Sequence, residues 1–161
     1  LRIVQEKAND SRPRVREAVV RALKAIGRKN VGRLLKYAQK WMKGSFYEQR
    51  AGVAALCEPE FLKYKEPAVT IIELLDWVTA TLIEHDDESH EVGYQALQHT
   101  LESCWSTVVA DYPVKGKPVM ERWMKEKHPI VDRVMRAALQ NEPLLAAQPE
   151  WCKRWNEELL G

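Results

Sequence analysis

Apolar residues recur along this chain at helical spacing and almost nowhere in alternation. Between Ser11 and Gly27 they fall at Val15, Ala18, Val19, Ala22, Leu23 and Ile26, which is i, i+3, i+4, i+7, i+8 and i+11. That period gathers them on one face of an α-helix and leaves Arg14, Glu17, Arg21, Lys24 and Arg28 on the other. Asp10 or Ser11 reads as the helix cap, Pro13 as a first-turn residue and Gly27 as the stop. Asn30 caps a second helix running to about Met42, with Val31, Leu34, Leu35, Ala38, Trp41 and Met42 facing inward. Its polar side is Lys29, Arg33, Lys36, Lys40 and Lys43, a stripe about 80° wide at the helical period. The two helices form an antiparallel hairpin joined by Arg28-Lys29-Asn30.

The same period continues downstream. Gly44 ends the second helix, and Ser45-Phe46-Tyr47-Glu48 is a capping box that opens a third, rich in small residues and stopped by Pro59. Phe61, Leu62 and Tyr64 are expected to tuck under the connection. A fourth helix runs from about Pro67 to Glu84, with Ile71, Leu74, Leu75, Val78 and Leu82 inward and with Ile72 and Trp77 widening that face. A fifth, to about Asp111, carries Tyr94, Leu97, Leu101, Cys104, Trp105 and Val108. Pro113, Gly116 and Pro118 predict an irregular connection, followed by a sixth helix with Met120, Trp123 and Met124. A seventh ends before Pro143, and an eighth spans Glu150 to Leu160. Strand and hairpin signals are missing, so the chain reads as eight helices.

An Ala-Leu pair marks alternate helices at Ala22-Leu23, Ala55-Leu56, Ala96-Leu97 and Ala138-Leu139, separated by 33, 41 and 42 residues. Such periods belong to stacked helical hairpins, each too small to bury its own apolar face. With Pro13, Val15-Arg16, Ala22-Leu23 and Ile26-Gly27, the first hairpin resembles a HEAT repeat. The likeness extends to Arg50–Leu56 and Asp132–Leu139 and weakens at His90–Leu97, where Gly93 stands at a usual Arg position. Ser45 to Leu62, Cys104-Trp105-Ser106 and Gly116-Lys117-Pro118 look like bacterial HEAT-repeat proteins, a likeness that carries no activity with it. The resemblance implies an all-α fold, a right-handed α-α superhelix (a HEAT/armadillo-like solenoid) of about four hairpins over residues 1–161. LRIVQEK reads as the tail of an earlier helix, as in a piece of a longer repeat array.

Charge sharpens this picture. Residues 1–43 hold 13 Lys/Arg and 3 Asp/Glu, whereas residues 44–111 hold 3 and 13, although the whole chain is only +2. That polarity points to an interaction driven by charge. The chain has no apolar run long enough for a membrane span and no signal-peptide pattern. Cys57, Cys104 and Cys152, dispersed and without a CxxC, read as reduced, buried thiols of a cytoplasmic protein.

The search for chemistry gives little. His85-Asp86-Asp87-Glu88-Ser89-His90-Glu91 has the ligand types of a metal site, but its histidines at i, i+5 do not share a helix face; an acidic turn before a helix explains it better. His99 and Cys104 lie about 140° apart around one helix, which argues against a nucleophile and base. Phosphate loops, nucleophile elbows and zinc-protease motifs are missing. Neither a cofactor nor a metal is expected, nor catalysis.

In HEAT arrays the second helix of a hairpin lines the concave face. The resemblance therefore implies that Lys29, Arg33, Lys36, Lys40 and Lys43 line one end of a groove. A secondary basic face is formed by Arg14, Arg21, Lys24 and Arg28. A helix free of acids makes a one-sign field. The expected function is a scaffold that docks an acidic protein surface, which a second copy of the chain would also supply. The alternative is a nucleic-acid-binding module. A HEAT-like DNA alkylation-repair glycosylase, whose family uses tryptophan and acid in a basic groove, is the remaining reading; its catalytic pattern does not match here.

Overall fold

In the computed structural model, which describes residues 1–161, the chain is all helical. It has ten helices: α1 (Arg2–Lys7), α2 (Pro13–Lys29), α3 (Val31–Trp41), α4 (Phe46–Leu56), α5 (Lys65–Glu84), α6 (Val92–Asp111), α7 (Pro113–Lys125), α8 (Pro129–Gln140), α9 (Glu142–Ala147) and α10 (Pro149–Leu160). Two short 3-10 turns lie at Pro59–Phe61 and Asp86–Glu88. Two helices stand beyond the eight counted from the apolar period, both six residues long: α1, the helical stretch expected at LRIVQEK, and α9, which no sequence signal marks.

The helices pack in two rows. In the first, α2 lies on α4, α4 on α6, α6 on α8 and α8 on α10. In the second, α3 lies beside α5 and α5 beside α7. Each second-row helix rests on first-row helices: α3 on α2 and α4, α5 on α4, α6 and α8, and α7 on α6 and α8. The short α9 fills the space among α6, α8 and α10. One apolar cluster runs through both rows, from Ala8 and Val19 through Trp41, Ile72, Trp105 and Met135 to Leu159. Burial of that continuous cluster holds the rows together.

Side-chain caps hold the starts of α3, α4, α8 and α9. The Asn30 side chain accepts from the Arg33 amide, and Ser45 Oγ accepts from Glu48 N–H. Glu48 goes further than a capping box: it also accepts from Gln5 Nε2 at 2.6 Å and Asn9 Nδ2 at 2.8 Å, and so ties α1 to α4. Four indoles are satisfied inside the fold. Trp105 Nε1 donates to Thr79 Oγ1, which in turn donates to the Leu75 carbonyl. Trp123 Nε1 donates to Asp76, and Trp151 and Trp155 both donate to Glu121.

Several expectations need correcting. Gly27 does not stop α2, which continues to Lys29. Gly27 is instead buried where α2 meets α3, and a Cβ there would lie 2.6 Å from Leu34 Cδ2 and 2.7 Å from Phe61 Cζ. Close approach of neighbours, more than backbone freedom, explains the glycine. The hairpin link is accordingly the single residue Asn30. Neither Asp10 nor Ser11 caps α2: Arg12 holds the cap position, and Asp10 Oδ1 accepts from Arg12 N–H and Nε. Those bonds and the adjacent guanidinium hold the Asp10 carboxyl far below the usual carboxylate range.

The segment around Pro113, Gly116 and Pro118 is helix α7, not an irregular connection. Pro113 fits its first turn, and Pro118, inside the helix, lies on its exposed side. Gly116 is buried against Val109. Tyr64 and Trp77 do not join the core; they are 72% and 48% exposed.

Candidate partner-binding surface

The outward side of the second row is built by three helix faces. On α3 the inward residues are Leu34, Ala38 and Trp41, which leaves Arg33, Lys36 and Lys40 on the opposite side. Lys29 is the last residue of α2, and Lys43 lies two residues beyond α3, so the five-residue stripe crosses both ends of the helix. All five cations are exposed. None lies in an ion pair; the one polar contact among them is Arg33 Nη2 donating to Tyr37 Oη at 3.4 Å.

The secondary basic face behaves differently. Lys24 pairs with Glu58, and Arg28 pairs with Glu60 at 3.0 Å. Arg14 and Arg21 remain exposed without a carboxylate partner. The acidic middle of the chain thus folds back on α2 and neutralises half of that face, but it leaves α3 alone.

Next to α3, α5 buries Ala68, Ile71, Ile72, Leu75, Val78, Thr79 and Leu82. Opposite these, at the helical period, lie Glu66, Thr70, Glu73, Trp77 and Glu84. The sequence pattern carries this row, but the apolar character of Trp77 hides it. None of Glu66, Glu73 and Glu84 is ion-paired. On α7 the outward residues are Lys115, Pro118, Arg122 and Lys125. Arg122 leans back to Asp76 at 2.5 Å and covers the Trp123 ring at 5.0 Å. The surface is therefore striped: basic on α3, acidic with an exposed tryptophan on α5, and basic on α7.

At one end of this surface lies an open slot of about 250 Å³, lined by Lys29, Asn30 and Val31 on one side and by Phe61, Tyr64 and Pro67 on the other. It brings the starts of α3 and α5 side by side and places an exposed phenol beside the first residues of the basic stripe.

The other candidate groups find mundane partners. In the acidic turn His85 Nδ1 meets Glu88 at 2.9 Å, and Asp86 meets His128 Nε2 at 3.2 Å. No three His, Cys, Asp or Glu side chains converge as metal ligands would. His99 pairs with Glu102 at 3.3 Å. Burial raises the Glu102 carboxyl above its usual range, with His99 opposing it. Asp76, the acid preceding Trp77, is occupied by Arg122 and by the Trp123 indole. Cys152 is buried, and burial raises its thiol. Cys104 meets Cys57, a pairing that the sequence reading missed because residues 47 positions apart carry no local signal. No helix is long and apolar enough to cross a membrane. Comparison with protein-family models, curated proteins and solved structures finds no match for this chain.

Proposed function

We propose that the chain is a HEAT-like helical-repeat module, without catalytic function, that docks an acidic protein surface on the α3 stripe. The observation that carries this reading is the unpaired state of Lys29, Arg33, Lys36, Lys40 and Lys43. Lys24 and Arg28 on α2, Arg50 on α4 and Arg122 on α7 find carboxylates within the chain, whereas the whole five-residue stripe finds none, and neither do Arg14 and Arg21. A cluster of one sign left uncompensated raises the local concentration of an oppositely charged partner and its rate of encounter. The repeat architecture draws support from the two rows, in which helices separated by one element pack side by side.

The acidic row on α5 favours a protein partner over nucleic acid. A phosphodiester backbone presents one sign along its whole length. Packed helix axes lie about 8–10 Å apart, so a duplex seated on α3 would meet Glu66, Glu73 and Glu84. A protein surface can match stripes of alternating sign; a uniform polyanion cannot. The engagement of Asp76 by Arg122 and Trp123 also supports docking over a glycosylase role for the Asp76-Trp77 pair.

A triple replacement of Arg33, Lys36 and Lys40 by glutamine tests the reading. An acidic, Glu-rich helical peptide serves as probe. Three exposed charge pairs at about 0.2–1 kcal/mol each correspond to roughly a tenfold loss of affinity. Unchanged affinity in the triple variant would remove the basis of the proposal. Sedimentation at low and high salt tells whether a second copy supplies the acid: a salt-sensitive dimer that the triple variant abolishes would identify it.

A further inference from the structure

A small cavity of about 190 Å³ lies in the first row between α4 and α6, apart from the basic stripe. Its lining includes Cys57, Cys104, Thr100, Ser103, Thr107 and Lys24. Two sulfurs converge there. The Val53 carbonyl accepts from the Cys57 backbone N–H at 3.0 Å and from Cys104 Sγ at 3.7 Å. The Cys57 and Cys104 side chains are neighbours in the lining of this one cavity. Cys57 is half-buried at the end of α4, and Cys104 is buried behind it on α6.

We propose that Cys57 and Cys104 form an oxidisable thiol pair, which a hydroperoxide converts into a disulfide joining the end of α4 to α6. The cavity has room for a reagent the size of hydrogen peroxide, and Cys57 is the less buried of the two residues. The Cys57 thiolate attacks one peroxide oxygen, the O–O bond breaks, and the other oxygen leaves as hydroxide, which takes up the proton released by the thiol. Cys57 is now a sulfenic acid. Cys104 sulfur attacks it, the S–S bond forms, the S–O bond breaks, and the oxygen leaves as water with the Cys104 proton. In sum, two thiols and one hydrogen peroxide give one disulfide and two molecules of water.

The surroundings set the pace. Burial, then the neighbouring Cys104 and the carboxylate of Glu58, push the Cys57 thiol well above its usual value, and Lys24 opposes them. Lys24 is in turn held by Glu58. Only the thiolate reacts, so the oxidation is slow at neutral pH and speeds up about tenfold per pH unit while the thiol remains mostly protonated.

The test is to expose the folded protein to hydrogen peroxide at two or three pH values below 9 or so, alkylate the remaining thiols and map them by mass spectrometry. The expected product is a monomer that has lost two hydrogens, has a cross-linked peptide pair containing Cys57 and Cys104, and retains an alkylatable Cys152. In Cys104→Ser, Cys57 stops at the sulfenic acid and is trapped by a dimedone-type reagent; Cys152→Ser forms the disulfide as the wild type does. Three alkylatable thiols after oxidation would overturn the proposal. So would Cys57 carried on to the sulfinic acid while Cys104 stays free, a disulfide between chains, or a rate that does not rise with pH. Should Cys104→Ser fail to fold, the wild-type map alone decides.

Discussion

Replacing Gly27 with alanine sets two effects of opposite sign against each other. Position 27 lies inside α2, where alanine is favoured over glycine by about 1 kcal/mol. The new methyl would meet Leu34 Cδ2 at 2.6 Å and Phe61 Cζ at 2.7 Å. Ordinary carbon contacts sit at about 3.5–4.0 Å, so each neighbour must retreat by about 1 Å. Leu34 is fully buried and Phe61 nearly so, which leaves little room to retreat. Overpacking of this kind costs about 1–3 kcal/mol. The net expectation is destabilisation by about 1 kcal/mol, a Tm lowered by roughly 2–4 °C in a chain of this size. Urea unfolding followed by far-UV circular dichroism gives the value. In a Leu34→Ala background the clash is relieved, and Gly27→Ala should there become neutral or stabilising. A plain gain in stability from Gly27→Ala in the wild-type chain would show that α2, α3 and Phe61 do not meet as described.

Other expectations follow from single contacts. Trp105→Phe removes the buried bond to Thr79 and is expected to cost about 1–2 kcal/mol in the same unfolding assay. The Tyr94 phenol donates to the Leu82 carbonyl at 2.6 Å and is pushed up to about 12, mainly by burial and then by Asp86. The fold keeps that proton where the unfolded chain releases it, at about pH 10. Its share of stability is therefore present below pH 10 or so and is lost as pH rises towards about 12. Tyr94→Phe should flatten that alkaline limb. Burial would raise the Glu48 carboxyl, but bonds from Asn9, Gln5 and Ser45 outweigh it and hold Glu48 below its usual value. The stability it adds is present above the ordinary glutamate range and is lost as pH falls. Glu48→Ala should weaken the acid dependence and speed amide exchange in Arg2–Lys7, a helix with no buried residue of its own. Lys127 has φ 61°, in the left-handed region, so Lys127→Gly is expected to stabilise the turn after α7 by up to about 1 kcal/mol.

What the sequence makes legible is whatever a helical period encodes. The α2–α3 hairpin can be read in advance because its apolar residues, its Asn30 cap and its basic stripe all obey one repeat. Trp77 misleads because its apolar side chain draws it to the core, although Glu66, Glu73 and Glu84 share its side of the helix and mark it as outward. Six residues are too few to show a period, so α9 is silent in sequence. It docks through buried Ser106 on α6, whose hydroxyl accepts from the Leu144 amide and donates to the Asn141 carbonyl. The Lys24–Glu58 and Arg28–Glu60 pairs and the Cys57–Cys104 contact join distant segments, and only packing reveals them. The basic stripe itself is legible residue by residue, but the acidic row beside it changes its meaning. A uniformly basic groove would suit a polyanion, whereas alternating stripes suit a patterned protein surface.

The most direct test of this binding surface sets two labelled probes of equal net charge against each other: the acidic helical peptide and a short DNA duplex. Fluorescence anisotropy is followed at rising salt, for the wild type and for the chain with Arg33, Lys36 and Lys40 replaced by glutamine. The expected result is tighter binding of the peptide than of the duplex, weakening with salt, and roughly a tenfold loss in the triple variant. Tighter binding of the duplex, or peptide binding that the triple replacement leaves untouched, would contradict docking of an acidic protein on α3.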